Sequence, residues 1–191
     1  MRNLIIIFGI MLSACAQTPQ PQPKVVNYET KGNLESNFPL GCVGLEQVDN
    51  RHTPADIYPA VTRCITSGDY NKASQLYGLA GVYGRFDMLR VRDSTAHQAV
   101  LVLQSNNFGS LSDEQREAFK TSTLDRLAQG SKQLSDLCSK IKSIGPPNYH
   151  PRYMIQHGMG AFGGSSGSGI KSDFDPVQSW KDSLSGYLHC P

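Results

Sequence analysis

Three groups of residues have the types and spacing that catalysis or ligation would need. Gly163-Gly164-Ser165-Ser166-Gly167 matches G-x-S-x-G, with Asp173 or Asp175 and then His189 following in the order nucleophile, acid, base. Such a constellation would transfer acyl groups through Ser165. It requires a buried strand before the serine and a helix after it, so that the hydroxyl stands on a strained turn. Here the serine lies in a glycine-serine tract and no sheet is legible around it. Gly158-Met159-Gly160-Ala161-Phe162-Gly163 matches the dinucleotide fingerprint G-x-G-x-x-G. That motif cradles phosphate only within a βαβ unit, and the flanking sequence offers none. His150, His157 and His189 could supply three imidazoles to zinc. A spacing of seven in a segment interrupted by Pro151 does not place two of them together. Asp113, Glu114 and Glu117 open a predicted helix, where the macrodipole favours acids without any acid–base role. No catalytic residue, metal site or cofactor is expected, and the chain reads as non-enzymatic.

The stretch from Tyr149 to Phe162 carries a different chemistry, because it is dense in aromatic, methionine and histidine side chains. Tyr, Met and Arg are enriched in protein interfaces. Tyr149, Arg152, Tyr153 and Met154 are therefore the expected partner-binding anchors. Tyr77 and Tyr83 are the alternative set if a groove beside their helix is the binding face. Nucleic acid is not an expected partner: the longest basic cluster is Arg90-Val91-Arg92, and the formal net charge is only +2, whereas nucleic-acid binders concentrate basic charge on one face.

The elements that must position these residues read as helices throughout. Ile57, Val61, Cys64 and Ile65 share a face of a helix starting at Thr53 or Asp56, with Pro54 suited to the first turn and Pro59 favouring the later start. Ser67-Gly68 ends it. A second helix runs from Asp69 towards Tyr83 with Ala73, Leu76, Tyr77, Leu79 and Ala80 at helical spacing. Its Gly78, Gly81 and Gly84 each cost about 1 kcal/mol relative to alanine, which suits a helix approached closely by another. A third helix is capped by Asp93 or Ser94 and stops at Asn106-Asn107. Ser112, with Gln115 three residues on, is a capping box for a fourth, and a fifth spans 131–144 before Gly145-Pro146-Pro147. The tail from Trp180 is read as a short docked helix. No run alternates apolar and polar residues, so the fold class is all-α: a helical bundle or a short helical-repeat domain.

The N-terminus has a basic start, Arg2, an apolar run of nine, Leu4 to Leu12, and small residues at Ser13-Ala14. That run is too short to span a bilayer core, which takes about 20 apolar residues, and it has the proportions of a signal peptide. Leu12-Ser13-Ala14-Cys15 resembles the lipobox of bacterial lipoproteins. The resemblance implies removal of residues 1–14, lipidation of Cys15, and, with Ala16 rather than aspartate next, an outer-membrane anchor facing the periplasm. Residues 15–37 then form a proline-rich tether, Pro19, Pro21 and Pro23 among them, which at about 3.1 Å per residue reaches roughly 60 Å. Residues 38–191 form the helical domain, with a flexible Gly/Ser loop at 163–169. Cys42, Cys64, Cys138 and Cys190 remain, an even set that reads as disulfides in an oxidising compartment, with three possible connectivities. Cys42–Cys64 and Cys138–Cys190 are favoured, since each would staple an irregular segment to a helix.

Two further resemblances bear on function. Gly68-Asp69-Tyr70-Asn71-Lys72-Ala73, with Tyr77 and Ala80, resembles the turn and second helix of a tetratricopeptide-type repeat, over about 57–84. The overall arrangement, a small disulfide-bearing helical domain on a lipidated tether, resembles that of lipoprotein immunity factors that neutralise effectors of type VI secretion. These resemblances imply a periplasmic binder of a protein partner, in the specific case a toxic effector. The alternative is a structural lipoprotein that scaffolds envelope or secretion machinery.

Overall fold

The computed structural model describes residues 29–163 and 167–191; the residues read as signal peptide and lipobox, Cys15 included, the proline-rich stretch and Ser165 lie outside the described residues. Among the described residues there are seven α-helices: α1 Pro54–Thr66, α2 Tyr70–Arg90, α3 Ala99–Phe108, α4 Asp113–Arg126, α5 Lys132–Ile144, α6 Arg152–Ile155 and α7 Pro176–Leu188. Among the described residues there is no β-strand, only an isolated bridge between Val91 and Ile170. The fold is all-α and disulfide-stapled.

α1 begins at the earlier of the two expected starts. Thr53 and Asp56 form a reciprocal capping box, so two orphan donors of the first turn are satisfied. Pro59 stays inside the helix, where the bond to Ala55 is missing but the apolar face remains continuous. Asp56 does a second job. Its carboxylate accepts from Ser36 Oγ at 2.8 Å and from the Asn37 and Phe38 amides at 2.7 Å each. Residues 29–37, read from sequence as tether, are thus fastened to the domain, and Leu34 also donates to the Tyr153 carbonyl at 3.1 Å.

α2 is the hub, packed by α1, α4 and α7. Buried residues occur all around it, the pattern of a central helix rather than a surface one. It continues past Tyr83 to Arg90 because Gly84 does not end it. A Cβ on Gly84 would lie 2.9 Å from Val100 of α3, and one on Gly81 would fall inside the Tyr187 ring of α7. These glycines are contact points for neighbouring helices. Gly68, in the turn between α1 and α2, has φ +79°, a conformation that favours glycine.

Local signals set the remaining ends. Asp93 caps a 3-10 turn, Ser94–Gln98, that leads into α3. Ser112 and Gln115 close the expected capping box on α4, and Ser131 caps α5. The α5 helix stops at Gly145, whose carbonyl accepts the Tyr83 hydroxyl at 2.9 Å. The disulfides pair Cys42 with Cys64 and Cys138 with Cys190. The second ties α5 to the residues after α7, so the C-terminus is held against the core.

Candidate binding site

Several of the described residues that suggested chemistry have structural partners. Asp175 caps α7, accepting from the Val177 and Gln178 amides at 2.9 and 3.0 Å. His189 is the left-handed cap residue at the other end of the same helix. His150 Nε2 lies 2.7 Å from the Ser168 carbonyl, and His157 Nδ1 lies 2.9 Å from Asn33 Oδ1. Among the described residues no three His, Cys, Asp or Glu side chains are grouped to hold a metal ion. Gly158 to Gly163 form a 3-10 turn rather than a phosphate loop. The far end of the Gly/Ser tract is fastened, since Arg92 donates to the Gly169 carbonyl at 2.9 Å.

The expected anchor segment is placed very differently from an exposed face. Tyr153 and Met154 are 2% and 0% exposed. Tyr149 and Tyr153 both donate to Asp87 Oδ2, at 2.9 and 2.8 Å. Arg90 Nε donates to Asp87 Oδ1 at 2.8 Å, and its guanidinium lies 5.0 Å from the Tyr149 ring centre and 5.1 Å from that of Phe86. Burial pushes the Asp87 carboxyl above its ordinary value, against the opposing pull of Arg90 and the two phenols. Burial likewise holds both tyrosines well above the usual phenol range. Tyr83, of the alternative set, is fully buried as well. Three of the six sequence-predicted anchors, Tyr153, Met154 and Tyr83, are therefore core residues rather than part of an exposed face. A carboxylate supplied by α2 draws the tyrosines inward, since a buried charge needs donors. Arg152 is exposed and donates to the Lys31 carbonyl at 3.2 Å.

Tyr77 is the sixth, and it leads to an open site. It lies on the floor of a groove between α2, α3 and α4, a cavity of about 440 Å³. Its ring centre is 5.6 Å from Phe119 and 6.2 Å from Phe108, and those two are 5.9 Å apart. Tyr58 backs the triad at 6.0 Å from Phe108 and is fixed by a 2.8 Å bond from Gln104 Nε2. Such tilted and edge-on ring pairs hold their geometry better than aliphatic packing of equal area. Leu111 closes one end, and Leu124 stands on the rim at 64% exposure. Leu101, one α3 face-repeat from Phe108, is 67% exposed.

A second cavity, about 420 Å³, lies by Val91, Asp93, His150 and Ile155. Two of its charged side chains are already paired. Arg92 Nη2 donates to the Ile170 carbonyl, and Asp93 accepts from Thr95 and Gly160. The α3–α4 groove instead offers water an aromatic floor and an aliphatic rim. Sequence reading missed Phe108, Leu111 and Leu101. Phe108 sat beyond the expected stop at Asn106-Asn107, and nothing local distinguishes a rim leucine from a core one. Comparison with known proteins returned no matching family model, curated protein or solved structure.

Proposed function

We propose that this chain is a lipid-anchored, periplasm-facing lipoprotein of the outer membrane that works by binding a partner protein through the α3–α4 groove, without catalysis. The specific reading is an immunity protein that occludes a secreted antibacterial effector. One observation carries the binding face: a large apolar side chain, Leu124, stands exposed on the rim of an open aromatic floor, and Leu101 is exposed on the same α3 face as the groove-lining Gln104 and Phe108. Contiguous apolar surface on a small domain marks interaction sites, and binding energy concentrates in a few aromatic or aliphatic anchors set in such pockets. The lipobox at Cys15 and the two disulfides support an exported, membrane-tethered setting.

The test is protection. Cells expressing the full-length lipoprotein are challenged with the periplasm-directed effector encoded nearest its gene, alongside Cys15→Ser, Leu124→Asp, Ser165→Ala and His189→Ala variants. Cys15→Ser is expected to abolish acyl labelling and membrane fractionation. Leu124→Asp is expected to abolish protection with its melting temperature preserved, while the serine and histidine variants protect as wild type. Loss of protection in Ser165→Ala or His189→Ala with an intact fold would overturn the binder in favour of an enzyme.

A further inference from the structure

Resting on the reading of the groove as a protein-binding face, we infer that its occupant is an acidic amphipathic helix of the partner. That helix carries two or three aliphatic or aromatic anchors on one side, with carboxylates beside them. The two walls differ in charge. The α3 wall, Ala99–Phe108, contains no charged residue. Arg116 and Lys120 are the charged side chains that line the groove, and both stand on the α4 wall one turn apart.

Each cation has an exposed acidic partner on its own helix, and Arg116 also donates to the Leu111 carbonyl, which holds it at the groove. Arg116 bonds Asp113, whose side chain is 92% exposed, and Lys120 Nζ lies 3.4 Å from Glu117. Exposed pairs of this kind contribute little to stability, so they exchange readily. A carboxylate carried in by a partner that excludes water from the groove makes a stronger, charge-assisted bond to the same cation. The apolar floor sets the rest of the chemistry. A cavity of about 440 Å³ takes the side chains of two or three large residues, and a helix laid in a groove presents such anchors at i, i+3 or i+4, and i+7. The exposure of the rim residue Leu124, 64%, makes the site an open face rather than the closed tunnel an acyl chain would need.

The experiment places a photo-crosslinking side chain singly at Leu101, Leu124 and, outside the groove, at Val177 of α7, which is 65% exposed. The full lipoprotein is irradiated in intact envelopes of cells challenged with the periplasm-directed effector, and the crosslinked peptides are sequenced. The expected result is one partner protein captured from Leu101 and Leu124 but not from Val177. Its crosslinked segment should carry apolar residues at helical spacing and at least two Asp or Glu within a turn of them. With that purified partner, the Arg116→Glu/Lys120→Glu double variant should bind at least tenfold more weakly at low salt and lose most of the wild type's salt dependence. A neutral or basic crosslinked segment would overturn the acidic occupant and leave the protein-binding reading standing. So would unaltered affinity of a correctly folded double variant. A lipid adduct, a second copy of this chain, or capture confined to Val177 would overturn the groove assignment. No protein adduct from any position would remove the binding reading itself.

Discussion

Two aromatic clusters of this molecule have similar composition and opposite fates. In one, Tyr149, Tyr153, Phe86 and Arg90 surround Asp87 in the interior. In the other, Tyr77, Phe108 and Phe119 surround an open cavity between α3 and α4. The difference is the carboxylate. A charged oxygen inside the protein demands donors, and phenolic hydroxyls brought 62 and 66 residues along the chain supply them. The groove has no such polar centre, so nothing pulls its rings inward, and the short turn Gly109–Ser112 leaves α3 and α4 splayed over them. Aromatic density alone therefore says little about function. The polar group that the rings serve decides.

The largest effect should come from removing that centre. Asp87→Ala leaves Arg90 buried with its charge unmatched, and breaking a buried pair in this way costs about 3–5 kcal/mol. Chemical unfolding followed by circular dichroism should show a domain that is barely folded or unfolded at 37 °C. Stability within 1 kcal/mol of wild type would mean that Asp87 is dispensable and that the contrast between the clusters has another origin.

Next come the donors. Tyr153→Phe and Tyr149→Phe each take one hydroxyl from Asp87, and each should cost about 1–3 kcal/mol. Because both serve one carboxylate, the double variant should deviate from additivity by about 0.5–3 kcal/mol. Additive losses would show that the two hydroxyls act independently.

The same network sets a pH dependence. The folded-state value of Asp87 is raised by burial, so between the ordinary carboxyl value of about 3.9 and the raised value the folded protein holds the extra proton. Stability then falls as pH rises through that window. The phenols of Tyr149 and Tyr153 are also raised, so stability should fall again as pH climbs above the ordinary phenol value of about 10. Urea midpoints across the pH range should show both declines. In Asp87→Asn, where it folds, the acidic one should vanish and the alkaline one persist.

Local signals were legible and long-range ones were not. Ser112 with Gln115, and Asp93, cap helices as read, because a short side chain and a nearby amide are all a cap needs, whereas Pro59 pointed α1 to Asp56 and the cap is Thr53. The glycines of α2 and both disulfide pairings were also readable, since each concerns close approach or the stapling of an irregular segment. Three things were hidden by distance along the chain. α2 runs on to Arg90, past Gly84, where Val100 of α3 comes close to the helix. Residues 29–37 belong to the domain because Asp56 captures Ser36, Asn37 and Phe38. Tyr153 is buried because Asp87 waits for it. Of the site itself, only Tyr77 was within reach, as a member of a helix whose neighbours were unknown.

The smallest effect on folding should come from the groove, and it is the one that bears on function. Leu124 is 64% exposed on α4, so truncating it to alanine removes little area buried within the domain. Surface changes of this kind usually stay within about 0.5 kcal/mol of wild type, and the melting temperature should hardly move. Binding is another matter. If Leu124 is one of the few anchors at the interface, its truncation should weaken the partner by about 2 kcal/mol, a change of roughly thirtyfold in Kd. Met159 gives the control, since it is 68% exposed but lies in the 159–161 turn away from the groove. Met159→Ala should leave both stability and partner affinity unchanged. Calorimetric titration of the two variants with the captured partner separates the regions directly. Equal losses in both would spread the interface over the surface and dissolve the groove as a site. A loss in Leu124→Ala alone places the binding energy on the cluster that has no carboxylate to serve.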